Sequence, residues 1–112
     1  MKASEILTQA RDLIVKDGKV NPDTWYQGEY AVDSKGEQVL SNDPNACRFC
    51  SVGAVGHVTA SAYVENSPAY YYLNKAAYES GIVWAIELND KHPELVPAMF
   101  YRAIELAKAN NE

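Results

Sequence analysis

Asp43-Pro44-Asn45-Ala46-Cys47-Arg48-Phe49-Cys50-Ser51-Val52-Gly53-Ala54 is the stretch on which the fold turns, because it joins a helix-start signal to both cysteines of the chain. Asp43 offers a carboxylate to free backbone amides, and Pro44 suits the first helical turn, where its missing N–H has no partner to lose. A helix is predicted over 44–64. Residues three and four apart share a helix face, so Cys47, Cys50, Ala54, His57 and Val58 form one stripe. Gly53, Gly56 and Ala60 form a second face of small side chains, where another backbone can approach closely. Each glycine costs about 1 kcal/mol against alanine in a helix, so the pattern demands a packing reason. Gly28 is the expected crossing point.

Before this segment, Ser4 reads as the N-cap of a helix over 4–17. Ile6, Leu7, Ala10, Leu13 and Ile14 line its apolar face, and Gly18 stops it. Trp25 to Val32 is rich in aromatic and β-branched residues, Asp33-Ser34-Lys35-Gly36 reads as a turn, and Glu37-Gln38-Val39-Leu40 returns as a second strand. After it, Asn66-Ser67-Pro68 repeats the cap-and-proline signal, predicting a helix over 68–80 ended by Gly81. Ile82, Trp84, Ile86 and Leu88 alternate as a strand would, yet fit a buried helix equally well. Asn89 to Pro93 breaks the chain. Val96, Met99, Phe100, Ala103, Ile104 and Ala107 then mark a last helix. The expectation is a single α+β domain over 1–112, mainly helical, with about four helices and a small β-hairpin between the first two.

Composition narrows the function. The net charge of −5 is dispersed, and without a basic stripe the counterion-release term behind most nucleic-acid affinity has little to act on. Direct DNA or RNA binding is not expected. Nor is membrane insertion, since no apolar run approaches the roughly 18 residues a spanning helix needs. The amphipathic pattern of the first helix contains Arg11 and Asp12, unlike the apolar core of a secretory leader. A cytoplasmic protein with reduced thiols is expected, and a disulfide between cysteines three apart would close too short a loop to staple a fold.

The chain resembles a family of small proteins from actinobacteria and their phages known only as a domain of unknown function. The resemblance rests on Trp25-Tyr26-Gln27-Gly28-Glu29-Tyr30-Ala31 with Asp33 and Gly36, on Arg48-Phe49-Cys50-Ser51-Val52-Gly53-Ala54, on Leu88-Asn89-Asp90, and on Ala103-Ile104 with Ala107. It spans nearly the whole chain and implies a fold more than an activity. A phage or prophage accessory protein acting on a host protein is what it suggests.

Several side chains are candidates for chemistry. Cys47, Cys50, His57 and His92 are all the cysteines and histidines available for zinc. A helix cap precedes the cysteines, however, where a zinc-binding pair usually sits on a turn. Core packing is the simpler reading, with no metal and no cofactor expected. A redox role for Cys47 and Cys50 lacks the strand–helix context of a thioredoxin-like fold. The enzyme alternative is a small thiol-dependent hydrolase or transferase. There Cys50 is the nucleophile, His92 (or His57) the base, Asp90 the orienting carboxylate and Gln27 an oxyanion donor. Asn89-Asp90 is otherwise expected to cap the last helix or hold the turn before Pro93. Trp25 reads as a core anchor.

The leading expectation is binding without catalysis. Tyr70, Tyr71 and Tyr72 are about 100° apart on their helix, so at least one must leave the core, and Tyr63 and Tyr78 add to the same region. Tyrosine is enriched at protein interfaces. A protein partner or a homodimer would use Tyr70, Tyr71, Tyr72 and Tyr78, with Trp25 and Gln27 as further binding candidates.

Overall fold

The computed structural model describes residues 1–112 and is an α+β domain with five α-helices rather than four. Helix α1 spans Ala3–Ile14 and runs directly into a two-residue hairpin, β1 (Val15–Lys16) and β2 (Lys19–Val20). Asp17 and Gly18 turn that hairpin with φ of 55° and 78°, the paired positive values of a type I′ turn. Gly18 therefore reverses a strand rather than stopping a helix. Ser4 is not the N-cap: Lys2 holds that place, and Glu5 accepts from its amide at 2.9 Å. Ser4 is buried, and its amide and hydroxyl bond the main-chain oxygen of Glu112 at 2.9 and 2.7 Å, tying the two ends of the chain together.

The middle of the chain departs most from expectation. Strand β3 (Ala31–Val32) pairs antiparallel with β4 (Arg48–Phe49), while Phe49 also bonds Thr24 and Tyr26 on its other side, bridging Trp25 in parallel. The hairpin around residues 33–36 persists as a bridge from Val32 to Gln38 and a 2.9 Å bond between the Asp33 amide and the Glu37 carbonyl. Four short extended segments thus lie side by side. With its amides and carbonyls taken up by strands, 48–49 cannot be helical.

Helix α2 accordingly covers Ser51–Thr59, not 44–64, with Cys50 as its N-cap. Asp43 instead holds a local turn through the Asn45 amide at 2.7 Å. Cys47 lies outside the helix and is exposed, whereas Cys50 is buried, so no stripe joins the two cysteines.

Helix α3 (Pro68–Glu79) starts where predicted, with Ser67 capping the Ala69 amide. Residues 82–88 resolve into a turn followed by helix α4 (Ala85–Lys91), whose first amide is capped by Asn74 of α3 at 2.7 Å. A 3-10 turn, Pro93–Leu95, leads into α5 (Val96–Ala109), which buries the predicted Val96, Met99, Phe100, Ala103, Ile104 and Ala107. Helix α1 packs against both α2 and α5, and α3 against α5. Leu7, Ile14, Val52, Val55, Leu73 and Phe100 fill the space between them. At the edge of this core, Tyr72 donates to a Glu112 carboxylate oxygen at 2.6 Å. That bond, followed by desolvation, pushes the phenol up to about 12.

The small face of α2 has the use its glycines implied, at a different partner. Gly53 lies directly under the backbone of Tyr30, and a Cβ there would collide with the Tyr30 carbonyl. Gly28 is not the crossing point; nothing approaches the place of its missing Cβ, and its φ of 102° is what requires glycine. Gly53→Ala is expected to cost about 3 kcal/mol or more, because the obstacle is backbone and cannot rotate away. Cys50→Ala removes one sulfur and its cap, at about 1–2 kcal/mol. Denaturant midpoints of the two variants test this ordering, and a reversed order would mean that the crossing does not limit stability.

Candidate functional site

The residues of the short motifs converge on one buried side chain, Asn89 of α4, which is 0% exposed. Its Oδ1 accepts from the Ser51 amide at 2.9 Å, the Ser51 hydroxyl at 2.6 Å and the Trp25 indole at 3.0 Å. Three donors on one atom fix which end of the amide is oxygen. Its Nδ2 donates to Asp90 Oδ1 at 3.1 Å. Gln27 completes the junction by donating to the carbonyls of Asn89 and Asp90 at 2.9 and 3.0 Å, near the end of α4. Segment 25–27, the first turn of α2 and the last turn of α4 are thereby locked together.

Beside this junction lies a cleft of about 290 Å³. Residues 28–30 form one wall and 38–41 the other, with Ala62, Ile86 and Asp90 closing it. Both walls rest on α2 through its glycines. Gly53 admits the Tyr30 backbone, while a Cβ on Gly56 would strike the Ser41 side chain. His57, one residue further on, sits 2.9 Å from the Ser41 carbonyl through Nδ1. A carbonyl only accepts, so this nitrogen carries the proton and donates. Trp25 also lines a second depression, of about 520 Å³, together with Gly18, Lys19, Val20, Pro93, Glu94 and Pro97.

The alternative catalytic set does not assemble around Cys50. The thiol is fully buried, and its Sγ accepts from the Gly53 amide at 3.2 Å. Burial, with a smaller push from the charge of Asp90, raises it to about 11. His92 is exposed and lies 3.8 Å from Glu94, with no hydrogen bond to Cys50 or Asp90. His57 packs on Phe49 at 4.6 Å between ring centroids and serves Ser41. Gln27 uses its amide on the α4 carbonyls. No group of three or more His, Cys, Asp or Glu side chains comes together to hold a metal ion.

The tyrosines face three ways. Tyr72 is buried, Tyr70 is half-buried, and Tyr71 is exposed with its ring edge-on to Tyr72 at 5.1 Å. Tyr78 and Tyr63 are also exposed. Trp25 is half-buried, its indole committed to Asn89. Ser51, Ser41 and the target of Asn89 escaped sequence reasoning. Asn89 does cap a helix, but its target is the first amide of α2 rather than a neighbour in its own turn.

Asn89→Ala strips the acceptor from three donors, two of them on the buried Ser51, and should cost about 3 kcal/mol or more. Equilibrium denaturation followed by tryptophan emission reads both the loss and the freeing of Trp25; a loss below about 1 kcal/mol would show that water replaces the amide. For the thiols, a pKa near 11 leaves about one Cys50 in a thousand ionised at pH 8. Iodoacetamide is expected to label Cys47 and to spare Cys50 until the protein unfolds. Rapid labelling of Cys50 at pH 6 in the native protein would revive the enzyme alternative.

No helix is long and apolar enough to cross a membrane. No curated protein and no solved structure matches the chain. A family model described as a family of unknown function (DUF6197) matches residues 1–105, which includes the Trp25 to Tyr30 segment, the start of α2 and the Asn89 junction. The chain therefore belongs to the DUF6197 family.

Proposed function

We propose that the protein binds a partner without catalysing a reaction, and that the outer face of α3 is its contact surface. The observation that carries this reading is the exposure of Tyr71 (58%) and Tyr78 (70%) on a helix that buries Tyr72. Positions 71, 75 and 78 follow i, i+4, i+7 spacing and form one stripe. Lys75 sits within it, 5.9 Å from the centre of the Tyr71 ring. Tyr63, Val83 and Trp84, which flank α3 in the sequence, are exposed as well. Tyrosine contributes large contact area with few rotors to immobilise.

Charge favours a different protein over a second copy. A two-fold interface centred on this stripe would bring the two Lys75 ammonium groups together at the axis. A partner with an acidic group opposite Lys75 meets no such repulsion. The cytoplasmic setting, and a role as a phage or prophage accessory protein acting on a host protein, belong to the same proposal. They rest on the resemblance of the motifs.

Tyr71→Ala and Tyr78→Ala are expected to melt within a few degrees of the parent, since surface truncations change stability by about 0.5 kcal/mol or less. Both should lose a stoichiometric partner that the parent captures from host extract, and Lys75→Glu should lose it too. Tyr72→Ala, by contrast, should lower the melting temperature. Sedimentation at two concentrations is expected to show a monomer. A dimer abolished by Tyr78→Ala would replace the hetero-partner with a second copy, and stripe variants with undiminished capture would overturn the reading.

A further inference from the structure

The cleft beside Asn89 has an electrostatic character of its own, independent of the α3 stripe. Two carboxylates, Glu29 and Asp90, line it, and no lysine, arginine or histidine does. The ion pairs made by arginine and lysine are Arg11–Asp12, Lys91–Glu87 and Arg102–Glu79, none of which includes either carboxylate. Asp90 spends Oδ1 on the Asn89 amide, which leaves Oδ2 without a partner in the protein. The opposite wall carries Val39 and Leu40 between the polar Gln38 and Ser41, and Ile86 closes one end. Tyr30, which also lines the cleft, is 42% exposed. Its phenol is pushed above its ordinary value by burial first, then by Tyr70, Cys50 and Glu65, and so stays neutral at physiological pH.

We propose that this cleft binds a cationic nitrogen, an ammonium or guanidinium, carried on a short aliphatic stem. The cation would lie between Glu29 and Asp90 and against the Tyr30 ring, where carboxylates and an aromatic face both attract it. The stem would run along Val39, Leu40 and Ile86, as lysine and arginine stems cover apolar surface elsewhere. Size supports a small group. A cleft of about 290 Å³ is at or below the lower limit of ordinary ligand pockets, about 300 Å³. The walls are also held in place before any ligand arrives, because the glycines at 53 and 56 let both loops rest on α2. A preorganised site loses less entropy on binding.

Two sources supply this chemistry, a free amine and a lysine or arginine side chain of a peptide. Backbone amide shifts are to be followed during titration with n-butylammonium chloride, at constant ionic strength set with sodium chloride. Saturable shifts are expected at residues 28–30 and Ile86, with a dissociation constant of about 1–10 mM for so small a ligand. Isosteric n-butanol should produce none. Glu29→Gln and Asp90→Asn should each weaken binding by about threefold to tenfold. Melting curves accompany both variants, and if Asp90→Asn fails to fold, Glu29→Gln decides alone. Titration with acetyl-lysine methylamide and with 1,5-diaminopentane separates the sources. Tighter binding of the lysine amide identifies a peptide side chain, and tighter binding of the diamine a free amine. Equal shifts with butanol, shifts that do not saturate, or binding unchanged in Glu29→Gln would overturn the proposal.

Discussion

A carboxamide excluded from water must find its partners inside the protein, and Asn89 finds them on two other parts of the chain. Its oxygen receives the first amide and the hydroxyl of Ser51 together with the indole of Trp25. Each bond has a small net worth, but an unmatched donor at the same place costs about 1–3 kcal/mol, so the three contacts hold or fail as a set. The consequence is geometric. The start of α2, the end of α4 and segment 25–27 cannot shift separately, and the walls of the neighbouring cleft inherit that rigidity.

The same set explains why α2 begins where it does. An isolated segment 43–54 satisfies the rules for a helix from Asp43 onward. In the folded chain, 48–49 is drawn into pairing with 31–32 and with 24–26, and the helix starts only where that pairing ends. Its free amides then fall to Cys50 Sγ and Asn89 Oδ1 rather than to an aspartate. Cap signals report what a residue can do locally. They carry no information about strands that arrive from twenty residues away.

Legibility followed the range of the interaction. The apolar periods of α1, α3 and α5 and the prolines at the starts of α3 and α5 are local signals and were readable, and all six residues of the α5 stripe are buried, with Pro97 beside them. That α2 carried a close backbone crossing was also readable, from glycines spaced three apart. Its partner was not, since Gly28 and Tyr30 lie two residues apart and only the path of the chain through the bend at 27–30 decides which lands on Gly53. Residues 82–88 stayed ambiguous because the group that settles them, Asn74, lies on another helix. The hairpin at Asp17-Gly18 carries a local signal too, an Asp-Gly pair between Val15-Lys16 and Lys19-Val20, but the helical period running up to Ile14 masks it.

Candidate chemistry was harder to read than fold, for a related reason. Cysteine, histidine and asparagine appear the same in a sequence whether they react or pack. Burial separates them: it raises the Cys50 thiol, commits His57 to a carbonyl and turns Asn89 into a cap. What is left accessible differs in kind, with aromatic rings around one lysine on α3 and two unpaired carboxylates in a cleft beside α4. The α3 rings and Glu29 are not required by the core, whereas Asp90 also holds the Asn89 amide through Oδ1. A tyrosine at 71 or 78 contributes little to packing that a polar residue would not, and Glu29 and Asp90 would repel less if either were neutral. Side chains that the fold does not need, placed on elements that the fold holds rigid, are where selection for binding has room to act.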